Sequence, residues 1–289
     1  MATLRLHGRD LDLARGVVMA IVNRTDDSFY APARFTDDAA ALAAVERAVA
    51  EGAEIVDIGG IRAGRGPRVG ADDEIARVVP FVATVRDRFP DVVISVDTWR
   101  AAVAREAARA GADLLNDTWA GHDPGLAEVA AAEGVGVVVS HTGGALPRTD
   151  PLRVAYPDGV LADVLAGLAA GAARAVEVGV DPAAVLVDPT HDFGKNTWHS
   201  LELVRHTAHL VELGFPVLMA LSRKDFVGET LGLEADERLE GTLAATAVAA
   251  WHGAGVFRAH DVAATRRVLD MVAAIRGDLA PVRAVRGLA

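Results

Sequence analysis

AVLVDPTHDFGK, residues 184–195, turns from apolar to polar within a single residue. Its first part, 185–187, is too short for a helix and rich in β-branched residues, which predicts a buried strand. Asp188, Pro189, Thr190, His191 and Asp192 follow at once, with Gly194 and Lys195 beyond. A carboxylate at the carboxyl end of a buried parallel strand sits where α/β folds hold their ligands. Taken alone, Asp188 reads equally well as the end of a strand before a Pro189 turn. Repetition argues against that, because the same switch recurs along the chain.

Working outward, apolar runs at 17–22, 54–58, 92–96, 112–115, 135–139, 217–221 and 256–258 predict seven more strands. They run into Asn23, Gly59-Gly60, Asp97-Thr98, Asn116-Asp117, Ser140-His141, Ser222-Arg223-Lys224 and His260-Asp261. Helical patterns separate them at 37–51, 72–89, 100–110, 125–133, 160–178, 197–213, 239–251 and 262–275. Asp37 or Asp38 is placed to cap the first helix, and three acids open the second at its positive end. The segment 142–159, with Pro147, Pro151 and Pro157, predicts a long loop, and the tail to Ala289 reads as irregular.

Continuous apolar strands alternating with helices indicate a parallel sheet covered on both faces. Eight such units predict an α/β fold of one domain, a (β/α)8 TIM barrel over residues 1–289. A doubly wound open sheet shares the alternation, but the first strand–helix turn, NRTDDSFYAPAR, has no G-x-G-x-x-G fingerprint. A rule of about 150 residues per domain suggests two domains, yet such barrels commonly exceed it as one. No shift in composition marks a linker.

A net charge of −11 argues against a general binder of nucleic acid or anionic membrane. The chain has no cysteine, so thiolate metal sites and disulfides are unavailable and a cytoplasmic protein is the expectation. The apolar helices are interrupted before about 18 residues, which predicts no membrane span, and no signal pattern opens the chain.

In a barrel the strand ends converge on one face. They bring Asn23, Asp57, Asp97, Asn116, Asp117, His141, Asp188, Ser222, Arg223, Lys224, Arg258 and His260 together. Each also has a plain structural reading. Asp97 or Thr98 caps a helix, as does Asp261; Asp57 is a buried acid bonded to neighbouring amides; His141 is a satisfied loop histidine. Chemically, carboxylates accept paired N–H donors such as those of a 2-amino-4-oxo-pyrimidine edge. Lys224, Arg258 and His260 form a cationic cluster suited to phosphate, and Arg also stacks on flat rings. The set fits a planar, N–H-rich heterocycle carrying a phosphate or diphosphate.

The motifs IVNRTDDSF, GAEIVDIGG, ISVDTW, GADLLNDTW, DPTHDFGK, LSRKDFVGETL, ERLEGTLAAT and RAHDV occur in this order between Val17 and Thr265. They resemble the dihydropteroate synthases of folate biosynthesis, pterin-binding (β/α)8 transferases. HTGGALPR, HDFGKN, MALS-x-KDF and VRGLA are similar to a diverged second copy found in actinobacteria. The resemblance implies condensation of 6-hydroxymethyl-7,8-dihydropterin pyrophosphate with p-aminobenzoate, with Mg2+ as cofactor. It also implies that Asp97, Asn116, Asp188 and Lys224 hold the pterin beside Phe193. Arg258 would stack on the ring and, with Asn23 and His260, hold the diphosphate; Asn23 also serves the metal, and Ser222 lies near the aminobenzoate. Asp97, Lys224 and Arg258 are the expected catalytic residues. A homodimer is implied, through a face of Leu243, Ala247, Ala250 and Trp251 near the carboxyl end.

Departures from the family pattern fall on the acceptor side. Where the family reads N-V-T-P-D-S-F, this chain has Arg24 for Val and Asp26 for Pro. Where it reads G-G-E-S-T-R-P-G, this chain has Ile61, Arg62, Ala63, Gly64 and Arg65 after Gly59-Gly60. Three functions therefore stand: a synthase of weak activity, a pterin-binding protein without condensation, and a metal-dependent hydrolase using His141, His191 and Asp261. The hydrolase reading lacks a His-x-His pair at Asn23-Arg24-Thr25.

Overall fold

Eight short parallel strands, each followed by helix, form one sheet whose inner face changes from apolar to polar along the strand direction. The computed structural model describes residues 3–24, 37–62, 64, 66, 68–149 and 154–286. In chain order the elements are β1 (Leu4–Leu6), β2 (Arg9–Leu11), β3 (Val17–Asn23), α1 (Asp38–Ala50), β4 (Ile55–Gly59), α2 (Ala71–Arg88), β5 (Val93–Asp97) and α3 (Ala101–Arg109). Then come β6 (Leu114–Asp117), α4 (Gly125–Glu133), β7 (Gly136–Ser140), α5 (Val160–Glu177), β8 (Val185–Asp188), α6 (Thr197–Arg205) and α7 (Thr207–Val211). The chain finishes with β9 (Leu218–Met219), α8 (Asp225–Leu231), α9 (Leu239–Trp251), β10 (Val256–Ala259) and α10 (Val262–Arg276).

The sheet runs β8-β7-β6-β5-β4-β3-β10-β9, parallel throughout. A bridge between Val187 and Val217 joins the two outer strands, with Val187 N–H donating to Pro216 O at 3.0 Å. That contact closes the ring, and the barrel expected from the alternation is the fold observed.

Alternation along each strand sorts the core into two layers. Ala20, Val22, Val56, Ile58 and Val96 face the helices. Met19, Ile55, Val93, Leu114, Val138, Leu186, Leu218 and Val256 fill the lower barrel. A hairpin that the sequence reading missed plugs the base with Leu4 and Leu6, through a turn at His7-Gly8 with both residues at positive φ. Gly136 permits the plug: a Cβ there would lie 2.6 Å from Leu6 Cδ2 and 2.7 Å from Ala184 O. Register then stacks the upper, polar positions. Asn23 pairs with Gly59, Gly59 with Asp97, Asp97 with Asn116, and Ser140 with Asp188.

Three elements differ from expectation. The helix expected over 197–213 breaks at His206, where Thr207 Oγ1 donates back to Val204 O at 2.9 Å and Leu203 O at 3.4 Å. Helix α8, with Gly228 inside it, was not expected. The small-residue face on α9 is only partly outward: Ala250 is buried in its own barrel, and the exposed apolar residues are Val248 and Trp251. Met271 and Ile275 of α10 are exposed as well. Among the described residues no helix is long and apolar enough to cross a membrane.

Candidate functional site

A cavity of about 370 Å³ opens at the carboxyl end of the barrel. Asn23, Asp97, Asn116, Asp188, Phe193, Lys224, Arg258 and His260 all line it. Strand ends deliver most of them. Phe193 comes from the β8 loop, held edge-to-face on Trp119 at 5.1 Å between centroids.

Beneath the cavity lies a charge network centred on Asp57, which is fully buried. Ser95 Oγ donates to its Oδ1 at 2.6 Å, while Asn116 Nδ2 and Arg258 Nε donate to Oδ2 at 3.2 and 2.6 Å. Asp57 is thus the buried acid the sequence suggested, but only one of these three donors, Asn116 Nδ2, is an amide; the carboxylate anchors two cavity-lining side chains. Arg258 Nη2 reaches Asp97 Oδ2 at 2.8 Å, and Thr118 Oγ1 donates to Asp97 Oδ1 at 3.0 Å. Burial pushes the Asp97 carboxyl up to about 7; the Asp57 charge adds to this and Arg258 opposes it.

On the opposite wall, Asp188 Oδ1 accepts the Thr190 N–H at 2.7 Å. Burial raises the Asp188 carboxyl and lowers the Lys224 ammonium, each opposed by the other's charge. Lys224 Nζ donates to His191 O and lies 5.0 Å from the Phe193 ring centroid. The loop carrying these groups holds Thr190 and Asp192 at φ of 53° and 69°, unusual for residues with a Cβ. Lys195 braces it from below, donating to the carbonyls of His141, Thr190 and Phe193 at 2.6, 3.2 and 3.0 Å. Asp192, a cavity-lining residue to which the sequence reading gave no role, accepts the Asp225 N–H at 2.7 Å and so ties this loop to α8.

Ser222 lies behind His260 rather than on the cavity wall. His260 N–H donates to Ser222 Oγ at 3.2 Å, and Oγ meets Nδ1 at 2.9 Å. Burial, with the charges of Arg258 and Arg223, holds His260 down to about 3, so the imidazole is neutral. Asp261, expected as a helix cap, makes no cap bond and instead pairs with Arg223 at 2.9 and 3.1 Å. Asp117 accepts the Trp119 and Gly121 N–H groups at 3.1 and 2.6 Å and is structural.

His141, His191 and Asp261 are not assembled as the hydrolase reading requires. His141 Nε2 meets Asp163, His191 is buried against Phe226, and Asp261 holds Arg223. Among the described residues no group of three His, Asp or Glu is placed to hold a metal ion.

The acceptor side is built differently. Arg24 turns away from the cavity, pairing with Asp38 and lying 4.7 Å over the Phe81 ring. Ile61 packs with Trp99, Trp119 and Ala145 into a small apolar cluster beside the cavity. Past β4, Arg148 Nε donates to Gly64 O at 3.2 Å and Arg100 Nη2 to Val69 O at 2.7 Å. Arg62 lines the cavity. Asp26, Ala63 and Arg65, also read as departures, lie outside the described residues.

The family model described as pterin binding enzyme matches residues 19–260. A Mycobacterium leprae protein named inactive dihydropteroate synthase 2 is 60% identical over 98% of this chain and 99% of its own length. Haemophilus influenzae dihydropteroate synthase is 38% identical over 93% and 97%. A crystal structure of Yersinia pestis dihydropteroate synthase in complex with a sulfonamide drug superposes with a TM-score of 0.89 at 36% identity, covering 95% of this chain and 99% of that one.

Proposed function

The chain belongs to the pterin-binding enzyme family, and from that premise we propose that it binds a dihydropterin pyrophosphate in the barrel mouth while condensing it with p-aminobenzoate weakly or not at all. The observation that carries this reading is the convergence of Asp97, Asn116, Asp188, Lys224 and Arg258 on one cavity. A buried carboxylate, Asp188, and a half-buried one, Asp97, facing a ring with paired N–H donors, with an amide and cations beside them, form the complement of a pterin edge.

In the reaction, the bond between the pterin's methylene carbon and the diphosphate oxygen breaks, and its electron pair leaves with the diphosphate. The amine nitrogen then bonds to that carbon and gives up a proton. Asp97, fixed by Thr118 and Arg258, stabilises positive charge on the methylene. His260, with a neutral ring, and Arg258 stabilise the departing anion. Asn23 lines the same mouth, and its neutral amide oxygen is the protein group that would hold Mg2+, a hard cation suited to oxygen ligands. When bound, Mg2+ supplies charge neutralisation on the diphosphate.

Capture of the cation depends on holding the amine against the methylene, and proximity of that kind contributes about 7–11 kcal/mol to a barrier. Ala63 and Gly64 offer neither the hydroxyl nor the guanidinium of the family pattern. Arg148 and Arg100 hold the carbonyls of Gly64 and Val69. These favour the second reading, a pterin-binding protein without condensation, as the limit of the first. The exposed apolar residues Val248, Trp251, Met271 and Ile275 support a homodimer through α9 and α10, and the cysteine-free chain suits the cytoplasm.

The test is steady-state pyrophosphate release with and without p-aminobenzoate, beside calorimetry of pterin pyrophosphate binding. Binding with turnover near background is expected. Replacing Arg62→Ser, Ala63→Thr, Gly64→Arg and Arg65→Pro together should raise turnover. Wild-type release at the rate of an ordinary synthase would refute the proposal.

A further inference from the structure

A second, larger cavity, of about 900 Å³, lies outside the barrel between α4 and α5. Its floor is the outer face of β7, Val137 and Val139. Val139 is only half-buried, although its side of the strand is the one helices normally cover. The gap arises from how α5 is seated. A Cβ on Gly167 would lie 2.8 Å from His141 Cδ2, and one on Gly171 would lie 2.5 Å from Val139 Cγ1. The helix therefore rests its glycine face directly on β7 and leaves the α4 side open. Trp119 and Ala145 line both this cavity and the pterin cavity, as the wall between them.

One polar side chain at the end of the cavity is buried and lacks a hydrogen-bond partner on one of its atoms among the described residues. It is His141, 7% exposed, with Nδ1 unpaired. Leaving such a group unpaired is unfavourable. The state of the imidazole follows from its other nitrogen. Nε2 lies 2.7 Å from Asp163 Oδ1, a carboxylate that can only accept, so Nε2 carries the proton. Burial and the nearby Lys195 charge keep the ring neutral. Nδ1 is then an acceptor without a donor among the described residues.

Charge points the same way. Among the described residues, Asp117, Asp123, Glu128 and Asp163 line the cavity against a single guanidinium, Arg174. No trio of metal-ligating side chains accompanies them among the described residues, so a bare metal ion is not the match. The occupant must donate N–H bonds, carry positive charge and lay an apolar body on Val137 and Val139.

We infer that the cleft between α4 and α5 is a second small-molecule site, which takes an organic amine whose ammonium donates to His141 Nδ1. Trp119 and Tyr156 in the wall add aromatic faces that attract a cation. The site stands apart from the pterin cavity and does not depend on its chemistry.

Phenethylamine serves as the probe and 3-phenylpropionate, of the same shape and opposite charge, as its control. Amide resonances of the full-length protein are followed by NMR during titration. The amine is expected to shift residues 137–142 and 163–171, and the acid is not. Ala170→Phe, which fills the cleft from the surface of α5, and Asp163→Asn, which removes the carboxylate orienting His141, should each weaken binding by about tenfold or more. Asp188→Ala should leave it unchanged. The inference is overturned if the amine shifts none of these resonances. It is equally overturned if the acid binds as well as the amine, or if Asp188→Ala abolishes binding, which would move the amine into the pterin cavity.

Discussion

Removing the Asp57 carboxylate tests whether the pterin cavity is organised from below. The structure gives that carboxylate three donors, Ser95 Oγ, Asn116 Nδ2 and Arg258 Nε, at 2.6, 3.2 and 2.6 Å, with no exposure to solvent. Asp57→Ala strands all three, one of them a buried guanidinium. Breaking a buried pair from one side costs about 3–5 kcal/mol. Asp57→Asn keeps an oxygen for Arg258 and Asn116, and Ser95 can rotate to accept from the new amide. Its cost is then the loss of one charge-assisted bond, about 1.5–3 kcal/mol. Arg258 still has Asp97 at 2.8 Å, which limits the damage in both variants. Adding Arg258→Met to Asp57→Ala removes the stranded charge, so the double variant should lose less than the two single losses combined. Urea unfolding followed by circular dichroism reads the wild type and the four variants, Arg258→Met alone included, with an unchanged slope showing that the denatured state is the same. Pterin affinity should fall with stability, because Asn116 and Arg258 both face the ligand. An Asp57→Ala loss below about 1 kcal/mol, or single and double variants that add exactly as independent sites do, would refute the network.

Three further outcomes are expected. Asp188→Ala removes the acceptor for the pterin's paired donors and frees the Thr190 N–H, lowering pterin affinity by about 2–4 kcal/mol with little change in fold; unchanged affinity by calorimetry would sink that assignment. Because burial pushes Asp97 up to about 7, the carboxylate is lost as pH falls through that value, and pterin affinity should drop by up to about tenfold per pH unit below it. A profile that stays flat down to about pH 5.5, or one no flatter in Asp97→Asn, would contradict this. Trp251→Glu places a charge in the exposed apolar face of α9 and α10 and should convert a dimer to a monomer by light scattering; a monomeric wild type would end the dimer proposal.

Much of the site was legible because strand ends are written locally. Asn23, Asp97, Asn116, Asp188, Lys224, Arg258 and His260 each follow an apolar run, and in a parallel barrel every such residue reaches the same mouth. Asp192 was harder to see, since a carboxylate at φ 69° in a loop carries no periodic signal of its direction. Ser222 shows the converse. Its place after a strand was plain, but whether it faces the cavity or His260 depends on the neighbouring strand.

What the sequence by itself determined is therefore the order of elements, the parallel sheet and the polar mouth, all set by hydrophobic runs and their terminators over a few residues. Only the tertiary structure decided how the charges pair. Arg258 reaches Asp57 and Asp97 across 201 and 161 residues, and no local pattern encodes such a partner. It likewise decided that Leu4 and Leu6 plug the base, that Val187 meets Val217 to close the ring, and that α5 sits on β7 through Gly167 and Gly171 while leaving a cleft beside α4. Each of these depends on the radial direction of a side chain and the curvature of the closed sheet, which exist only once all eight strands are in register.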